Sequence, residues 1–306
     1  MQESVIAVER AGVRLLPKPW GSLDLRPWNA RDVSGGAVGE IWFQRGDPDA
    51  PEPALLLKLL FANEPLSIQV HPDDDFARSI GLPRGKTEAW YILSAAPGAK
   101  VALGLKHDAT AKHLRASIED GSIADLVRWR EVHTGEVIFV PAGTIHAIGP
   151  GLVIAEIQQT SDATFRMFDF GRGRELHADN AVAVAIAGPA LAQPAPVRLN
   201  DARTLLIASP CFVLERIDLA PGSDWEIDGS GETWLLVIDG GTHAGEMTLS
   251  TGEALFLQAD RVTIRAGGGG LSCLAAYQGP DPRPRLLRSL AEQKAESAAH
   301  TLEAQP

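Results

Sequence analysis

Residues Gly135–Gly149 read G-E-V-I-F-V-P-A-G-T-I-H-A-I-G. Val137–Val140 is a short apolar run of strand-forming residues, and Pro141 with Gly143 makes a tight turn that redirects it. His146 follows the glycine by three residues. Upstream, Leu66–Pro72 reads L-S-I-Q-V-H-P. A strand alternates its faces, so Leu66, Ile68 and Val70 point one way and Ser67, Gln69 and His71 the other. The apolar trio is expected to bury against a core, leaving Gln69 and His71 projecting together. Gly85–Leu93, G-K-T-E-A-W-Y-I-L, sets Lys86, Glu88 and Trp90 on one face in the same way. If these faces line the inside of a barrel, that interior is polar, and a polar interior needs a reason.

The rest of the chain has the same texture. Its 30 glycines and 21 prolines are spread out and punctuate short apolar runs, the pattern of many strands joined by turns. Candidate strands are Ala54–Leu60, Leu66–His71, Glu88–Leu93, Val137–Val140, Leu152–Gln159 and Thr164–Phe170. A second series covers Phe212–Leu219, Thr233–Ile238, Ala254–Leu257, Val262–Arg265 and Leu271–Tyr277. Helical periodicity interrupts the first series over about 108–130, with Leu114 and Ile118 four apart, a break at Gly121 and Ser122 as the cap of a second short helix. Asp179–Ile186 also reads as helix, and Gly188–Pro196 as a linker rich in Pro and Ala.

The chain has 306 residues, long enough for about two domains and a substantial core. Its net charge of −11 makes it a poor candidate for nucleic acid, whose binding draws on many Lys/Arg–phosphate contacts. One small anionic substrate stays open, because a pocket can be locally basic inside an acidic surface. The N-terminal M-Q-E-S-V-I-A-V-E-R has no basic region followed by an apolar run, and no stretch of about 18 uncharged apolar residues occurs. Cys211 and Cys273 lie far apart in apolar runs and read as reduced thiols. A cytoplasmic protein without nucleic-acid or membrane partners is expected, as a monomer or weak homodimer.

Two imidazoles, a carboxylate and an amide arriving from separate strands suit a divalent metal, with an open position left for water or substrate. The spacing G-x5-P-x-G-x2-H over Gly135–His146 resembles the second sequence motif of the cupin superfamily at every fixed position. The usual first motif, H-x-H with a Glu a few residues on, is altered. Gln69 replaces the first His, and Glu88 lies 17 residues after His71.

With Q-V-H-P-D-D, G-K-T-E-A-W-Y, V-P-A-G-T-I-H-A and E-I-Q-Q-T-S-D-A-T-F-R-M-F-D-F in order, the chain resembles type I mannose-6-phosphate isomerase, particularly its short bacterial form. The likeness runs from about Lys18 to Asp179 and continues more weakly beyond. It implies a mainly β fold of two cupin-type jelly-roll barrels. Residues 1–190 would be the metal-binding catalytic domain with a helical insertion, 197–280 a second cupin-like domain without metal, and 281–306 a helical or frayed tail.

It further implies one Zn2+ per chain, bound by His71, Glu88 and His146 with Gln69 as an additional ligand. The reaction implied is interconversion of mannose 6-phosphate and fructose 6-phosphate through an enediol(ate). Arg166, Lys86 and Glu156 match active-site positions, and Trp20 would wall the pocket. A cation such as Arg166 would stabilise enediolate charge, and Lys86 or Arg166 would hold the phosphate. Glu156 is a candidate general base, with Lys86 or a metal-bound water as alternatives. Other readings stay beside these. The alternative for Arg166 is an ion pair with Asp162 or Asp169, and for Lys86 with Glu156 a satisfied interior pair. An iron-dependent oxygenase, an isomerase of another sugar or sugar phosphate, and a non-catalytic sugar-phosphate-binding protein are the rival functions.

Overall fold

The strand Leu55–Ala62, L-L-L-K-L-L-F-A, carries apolar side chains on both faces. Such a strand is stable only between two cores. Leu55, Leu57, Leu59 and Phe61 pack against Trp234, Phe256 and Leu274 from the C-terminal half, while Leu60 and Ala62 face the other way, with Trp90, Ile92 and Val101. The computed structural model describes residues 7–29, 36–258 and 260–293.

In the N-terminal half the strands are β1 (Ala7–Arg10), β2 (Gly12–Ser22), β3 (Val38–Gln44), β4 (Leu55–Ala62), β5 (Ile68–Val70), β6 (Glu88–Ala95), β7 (Lys100–Leu105), β8 (Val127–Glu131), β9 (Val137–Val140), β10 (His146–Ile148), β11 (Leu152–Gln159) and β12 (Phe165–Phe168). Strands β2-β3-β4-β11-β6-β9 form one antiparallel sheet and β12-β5-β10-β7-β8 another. Trp20, Leu60 and Trp90 from the first share a core with Val101, Leu103 and Ile148 from the second, so the two sheets enclose a jelly-roll interior. Four short helices, α1 (Asp74–Ser79), α2 (Ala111–Asp120), α3 (Ile123–Leu126) and α4 (Ala178–Val184), complete this half. Leu114, Ile118, Ile123 and Ala181 cover the outer face of the five-stranded sheet, against Ile68, Val70 and Met167.

The C-terminal half contains β13 (Val197–Arg198), β14 (Arg203–Ala208), β15 (Val213–Leu219), β16 (Asp224–Gly229), β17 (Thr233–Ala244), β18 (Met247–Ser250), β19 (Ala254–Gln258), β20 (Asp260–Tyr277) and β21 (Leu287–Ser289). They join one ten-stranded sheet that wraps its own core of Val213, Ile217, Leu235, Leu257 and Tyr277. The opposite face of this sheet supplies the Trp234 and Phe256 that meet β4.

Several expectations change on contact with the structure. The predicted helical stretch ends early, because Val127–Glu131 pairs with β7 as β8. Ser122 occupies the cap position of α3 without a capping side-chain bond; its N–H instead donates to Asp120 Oδ1. Of the trio expected on one face, Ile68 and Val70 lie under the helices, but Leu66 precedes β5 and faces the inner core. The simple division at 1–190 and 197–280 is crossed twice. Strand β1 extends the C-terminal sheet through β19, and the expected helical tail begins as β21 on β16, with helix only from residue 290. Residues 294–306 of that tail lie outside the described residues. The linker is docked: the Gln193 side chain accepts from the Phe139 N–H at 2.6 Å and donates to its carbonyl at 3.1 Å, covering the edge of β9. Cys211 and Cys273 are free thiols. Among the described residues no helix is long and apolar enough to cross a membrane.

Candidate metal centre and substrate pocket

Three strands bring the sequence words together. Gln69 on β5 is the register partner of His146 on β10, and His71 follows one residue after β5. Glu88 opens β6 on the facing sheet. Gly143 sits at φ 84°, a left-handed conformation that glycine adopts without strain, and its N–H donates to the His71 carbonyl. The turn that presents His146 therefore also ties down His71.

His71, Glu88 and His146 offer ligand atoms that all lie within 4.8 Å of one another, with side chains about 1% exposed. Each imidazole points Nδ1 at a backbone carbonyl, Ala163 for His71 and Thr144 for His146, both at 2.8 Å. Carbonyls only accept, so each Nδ1 carries the proton and each Nε2 presents a lone pair. Those lone pairs face Glu88, at 3.4 Å from His71 Nε2 to Oε2 and 3.5 Å from His146 Nε2 to Oε1. Three acceptors facing one another call for a cation. Ligands about 2.1 Å from a tetrahedral zinc stand about 3.4 Å apart, so the donor set and its spacing fit that ion.

The electrostatics agree. Burial, with the nearby Lys86 charge, holds His71 well below its usual value, and burial likewise lowers His146 against the opposing pull of Glu88. Both are neutral, the ligand form, near pH 7. Burial alone would raise Glu88, but the Lys86 ammonium beside it outweighs that and the carboxylate stays ionised. Burial alone would likewise lower Lys86, but Glu88 and Glu156 hold its ammonium above the ordinary value. Lys86 Nζ stands 2.9 Å from Glu88 Oε2 and 3.1 Å from His71 Nε2. The first contact is a buried ion pair, so Lys86 supplies part of the positive charge that the three acceptors face. Gln69 turns its amide nitrogen to His146 Nε2 at 3.3 Å and accepts from Ser67 Oγ with its oxygen. Its oxygen faces the cluster only after the amide is turned over.

A cavity of about 260 Å3 reaches this cluster at Glu88, with Gln69, Lys86, Glu156, Arg166 and Trp20 also on its walls and His71 and His146 behind them. Trp90 Nε1 lies 3.1 Å from both Glu88 Oε1 and Glu156 Oε2, which fixes the two carboxylates side by side. Arg166 forms neither of the ion pairs weighed for it: Asp169 is taken by Arg172 and Arg174, and Arg166 Nη1 donates to the Glu175 carbonyl. A larger cavity of about 560 Å3, beside Trp42 and the loop Pro48–Pro53, lacks such a cluster among its walls.

Sequence reading missed other polar walls of the small cavity: Lys18, Glu40, Lys58 and Arg174. Lys58 is buried, 3.3 Å from Glu156 Oε1 and 2.6 Å from Gln158 Oε1. Its signal was present, a lone lysine inside L-L-L-K-L-L.

No protein-family model matches the chain. It is 34% identical over 254 residues to the mannose-6-phosphate isomerase ManA of Bacillus subtilis strain 168, covering 77% of this chain and 78% of that one. The chain belongs to the type I mannose-6-phosphate isomerase family. A mannose-6-phosphate isomerase of Streptococcus mutans serotype c is 41% identical over 185 residues, 58% of this chain and 55% of its own length. The chain thus spans about half the length of some curated relatives that it matches. The crystal structure of the mannose 6-phosphate isomerase from Bacillus subtilis superposes with a TM-score of 0.76 at 25% identity, over 90% of this chain and all of that one. The apo mannose 6-phosphate isomerase from Salmonella typhimurium shares the fold, with a TM-score of 0.70 at 17% identity over 89% of this chain and 99% of that one. Of the words that suggested this family, Q-V-H-P, G-K-T-E and P-A-G-T-I-H supply the His/Glu/His cluster, while the A-T-F-R word places Arg166 on the same cavity.

Proposed function

We propose that this chain is a metal-dependent aldose–ketose isomerase that interconverts mannose 6-phosphate and fructose 6-phosphate. The observation that carries the reading is the pair of neutral imidazoles, each oriented by a backbone carbonyl, whose Nε2 lone pairs converge on Glu88 at the floor of a small polar cavity. His71, Glu88 and His146 would hold one zinc ion, with Gln69 as a fourth donor once its amide is turned. Bound there, the ion would polarise the sugar oxygens and stabilise developing negative charge.

The chain's own residues carry the rest. Isomerisation moves a proton between C2 and C1 of the open-chain sugar through an enediol(ate). Glu156 takes the proton from one carbon and returns it to the other, because among the carboxylates on the cavity outside the metal set it is the one held beside Glu88 by Trp90. Trp90 Nε1 orients it by its bond to Oε2. Lys86 stays protonated beside two carboxylates, so it serves as a cation and proton donor at the substrate oxygens rather than as the base. Arg166 presents a second cation, whose buried Nε has no hydrogen-bond partner among the described residues and is free for the enediolate.

The C-terminal sheet backs the catalytic half through the shared core around β4 and contributes no metal ligand in this reading. The same reading makes the enzyme a cytoplasmic monomer or weak homodimer. The test is a coupled assay of the purified chain with mannose 6-phosphate, following fructose 6-phosphate, before and after chelation and with zinc restored. Turnover lost on chelation and regained with zinc is the expected result; full turnover by metal-free protein rejects the centre. Arg166→Ala should lower kcat by about a hundredfold or more while the melting temperature stays near that of the parent.

A further inference from the structure

The start of β4 is held by the C-terminal half. Strand β3 pairs with β4 only as far as Lys58, opposite Trp42, so the backbone just before it lacks a strand on that side. Backbone groups left unpaired beside a core are costly. Glu232, in the turn between β16 and β17, fills the gap. Its Oε2 accepts from the Ala54 N–H at 2.7 Å and its Oε1 from the Leu55 N–H at 2.8 Å. Trp234 Nε1 donates to the Leu55 carbonyl at 3.1 Å. Burial raises the Glu232 carboxyl, while the two N–H groups, and then Arg84 and Arg45, oppose the rise and stand in for the water it has lost.

The segment that Glu232 grips is a hub. The Ala54 carbonyl accepts from the Thr160 N–H and from Arg84 Nη1, both at 2.9 Å, and the Pro53 carbonyl accepts from Thr160 Oγ1 at 2.7 Å. Thr160 opens loop 160–164 between β11 and β12, and Arg84 belongs to loop 80–87 between α1 and β6. Ser161 Oγ ties the two loops together: it donates to the Arg84 carbonyl at 3.1 Å and accepts from the Ala163 N–H at 3.3 Å. Both loops end at the ligand cluster. The first supplies the Ala163 carbonyl that orients the His71 ring, and the second runs directly into Lys86 and Glu88. Hydrogen bonds therefore lead without a gap from Glu232 through Ala54, Arg84, Ser161 and Ala163 to His71.

Resting on the isomerase reading above, we propose that Glu232 is a positioning residue of the catalytic centre, through which the C-terminal half fixes the two loops that orient His71 and present Lys86. Glu232 touches none of the metal ligands and acts on the backbone that carries them. A carboxylate suits the task, because its two oxygens serve two adjacent N–H groups at once, whereas an amide has a single acceptor oxygen. The C-terminal half thereby takes a part in the reaction beyond closing the core around β4.

The test measures zinc affinity, by competition against a chelator of known affinity, and kcat on mannose 6-phosphate. It compares the parent with Glu232→Ala, Glu232→Gln and Ile217→Ala, each shown to be folded by circular dichroism at the assay temperature. Ile217→Ala opens a void in the separate core of the C-terminal half and so reads general loosening. Glu232→Ala should lose zinc affinity and kcat by about tenfold or more, Glu232→Gln should lose less, and Ile217→Ala should keep both within about threefold of the parent. Parental zinc affinity and kcat in folded Glu232→Ala, even with a lowered melting temperature, overturn the positioning role, as does an equal loss in Ile217→Ala. If Glu232→Ala does not fold, Glu232→Gln is read by the same outcomes. A loss of zinc affinity in the Glu232 variants, with a parent chain that does not isomerise mannose 6-phosphate, keeps the link from Glu232 to the metal centre and rejects the isomerase reading.

Discussion

The N–H of Gly143 donates to the carbonyl of His71 at 2.8 Å. One bond thus links the turn that presents one candidate metal ligand to the backbone of another, across 72 residues of chain. The turn depends on glycine for a second reason. A Cβ at position 143 would meet the Val184 carbonyl oxygen at 3.1 Å and Ile186 at 3.2 Å, at a φ that side chains rarely adopt.

Gly143→Ala should therefore cost about 1–2 kcal/mol of stability. It should also weaken metal retention, because relieving the Cβ crowding shifts the turn and draws its N–H away from the His71 carbonyl. Urea unfolding and metal analysis of the same sample check both effects. Unchanged metal affinity would show that the anchor is dispensable for the centre.

Glu88 is the only carboxylate in the ligand cluster, and it also partners Lys86. Glu88→Gln removes the negative charge that faces both imidazoles and leaves a buried ammonium with less compensation. Metal affinity should fall by at least about tenfold, and zinc should raise the melting temperature less than in the parent. Competition against a chelator of known affinity measures the first, and thermal unfolding with and without zinc the second.

Glu215 is fully buried in the C-terminal half, where Arg203 Nε and Nη2 each donate to it at 2.7 Å and the Tyr277 hydroxyl donates as well. Removing one partner strands the other's charge. Glu215→Ala should cost about 3–5 kcal/mol, while metal content per folded molecule stays at the parent level because this network belongs to the other core. A variant that lost metal before it lost fold would contradict that separation.

Stability should also fall in alkali. Burial, with Asp218 adding, pushes the Cys273 thiol up to about 12 from its usual 9.0. Burial and the Glu215 hydrogen bond raise Tyr277 in the same direction. The folded chain thus keeps protons that the unfolded chain releases. The contribution is fully present below pH 9.0 and is lost as pH rises toward about 12, by at most about 1.4 kcal/mol per pH unit for each group. Urea midpoints at pH 8 and at about pH 10.5 measure the slope, and Cys273→Val should flatten it. An unaltered slope in that variant would assign the alkaline loss elsewhere.

Local pattern was enough for much of the first half. The alternation of L-S-I-Q-V-H-P put Gln69 and His71 on one face, and both line up with His146 in the structure. It misplaced Leu66, because the strand begins two residues later and the preceding segment turns inward. The apolar spacing before Arg130 suits either period, so helix is expected to about residue 130; pairing with β7 decides for strand from Val127. The composition of the tail favours helix, and β16 recruits Leu287–Ser289 into the sheet instead.

By itself the sequence determined the mainly β class, the His/Glu/His candidates that converge and the turn that carries His146. These depend on period-two alternation and on residues whose local geometry is nearly context-free. Only the tertiary structure decided which side chains share a cavity. Lys18, Lys58 and Arg174 come from an edge strand, a doubly buried strand and a loop, and no short-range pattern relates them. Their meeting depends on how two sheets face each other, a long-range packing outcome that chain neighbours do not encode.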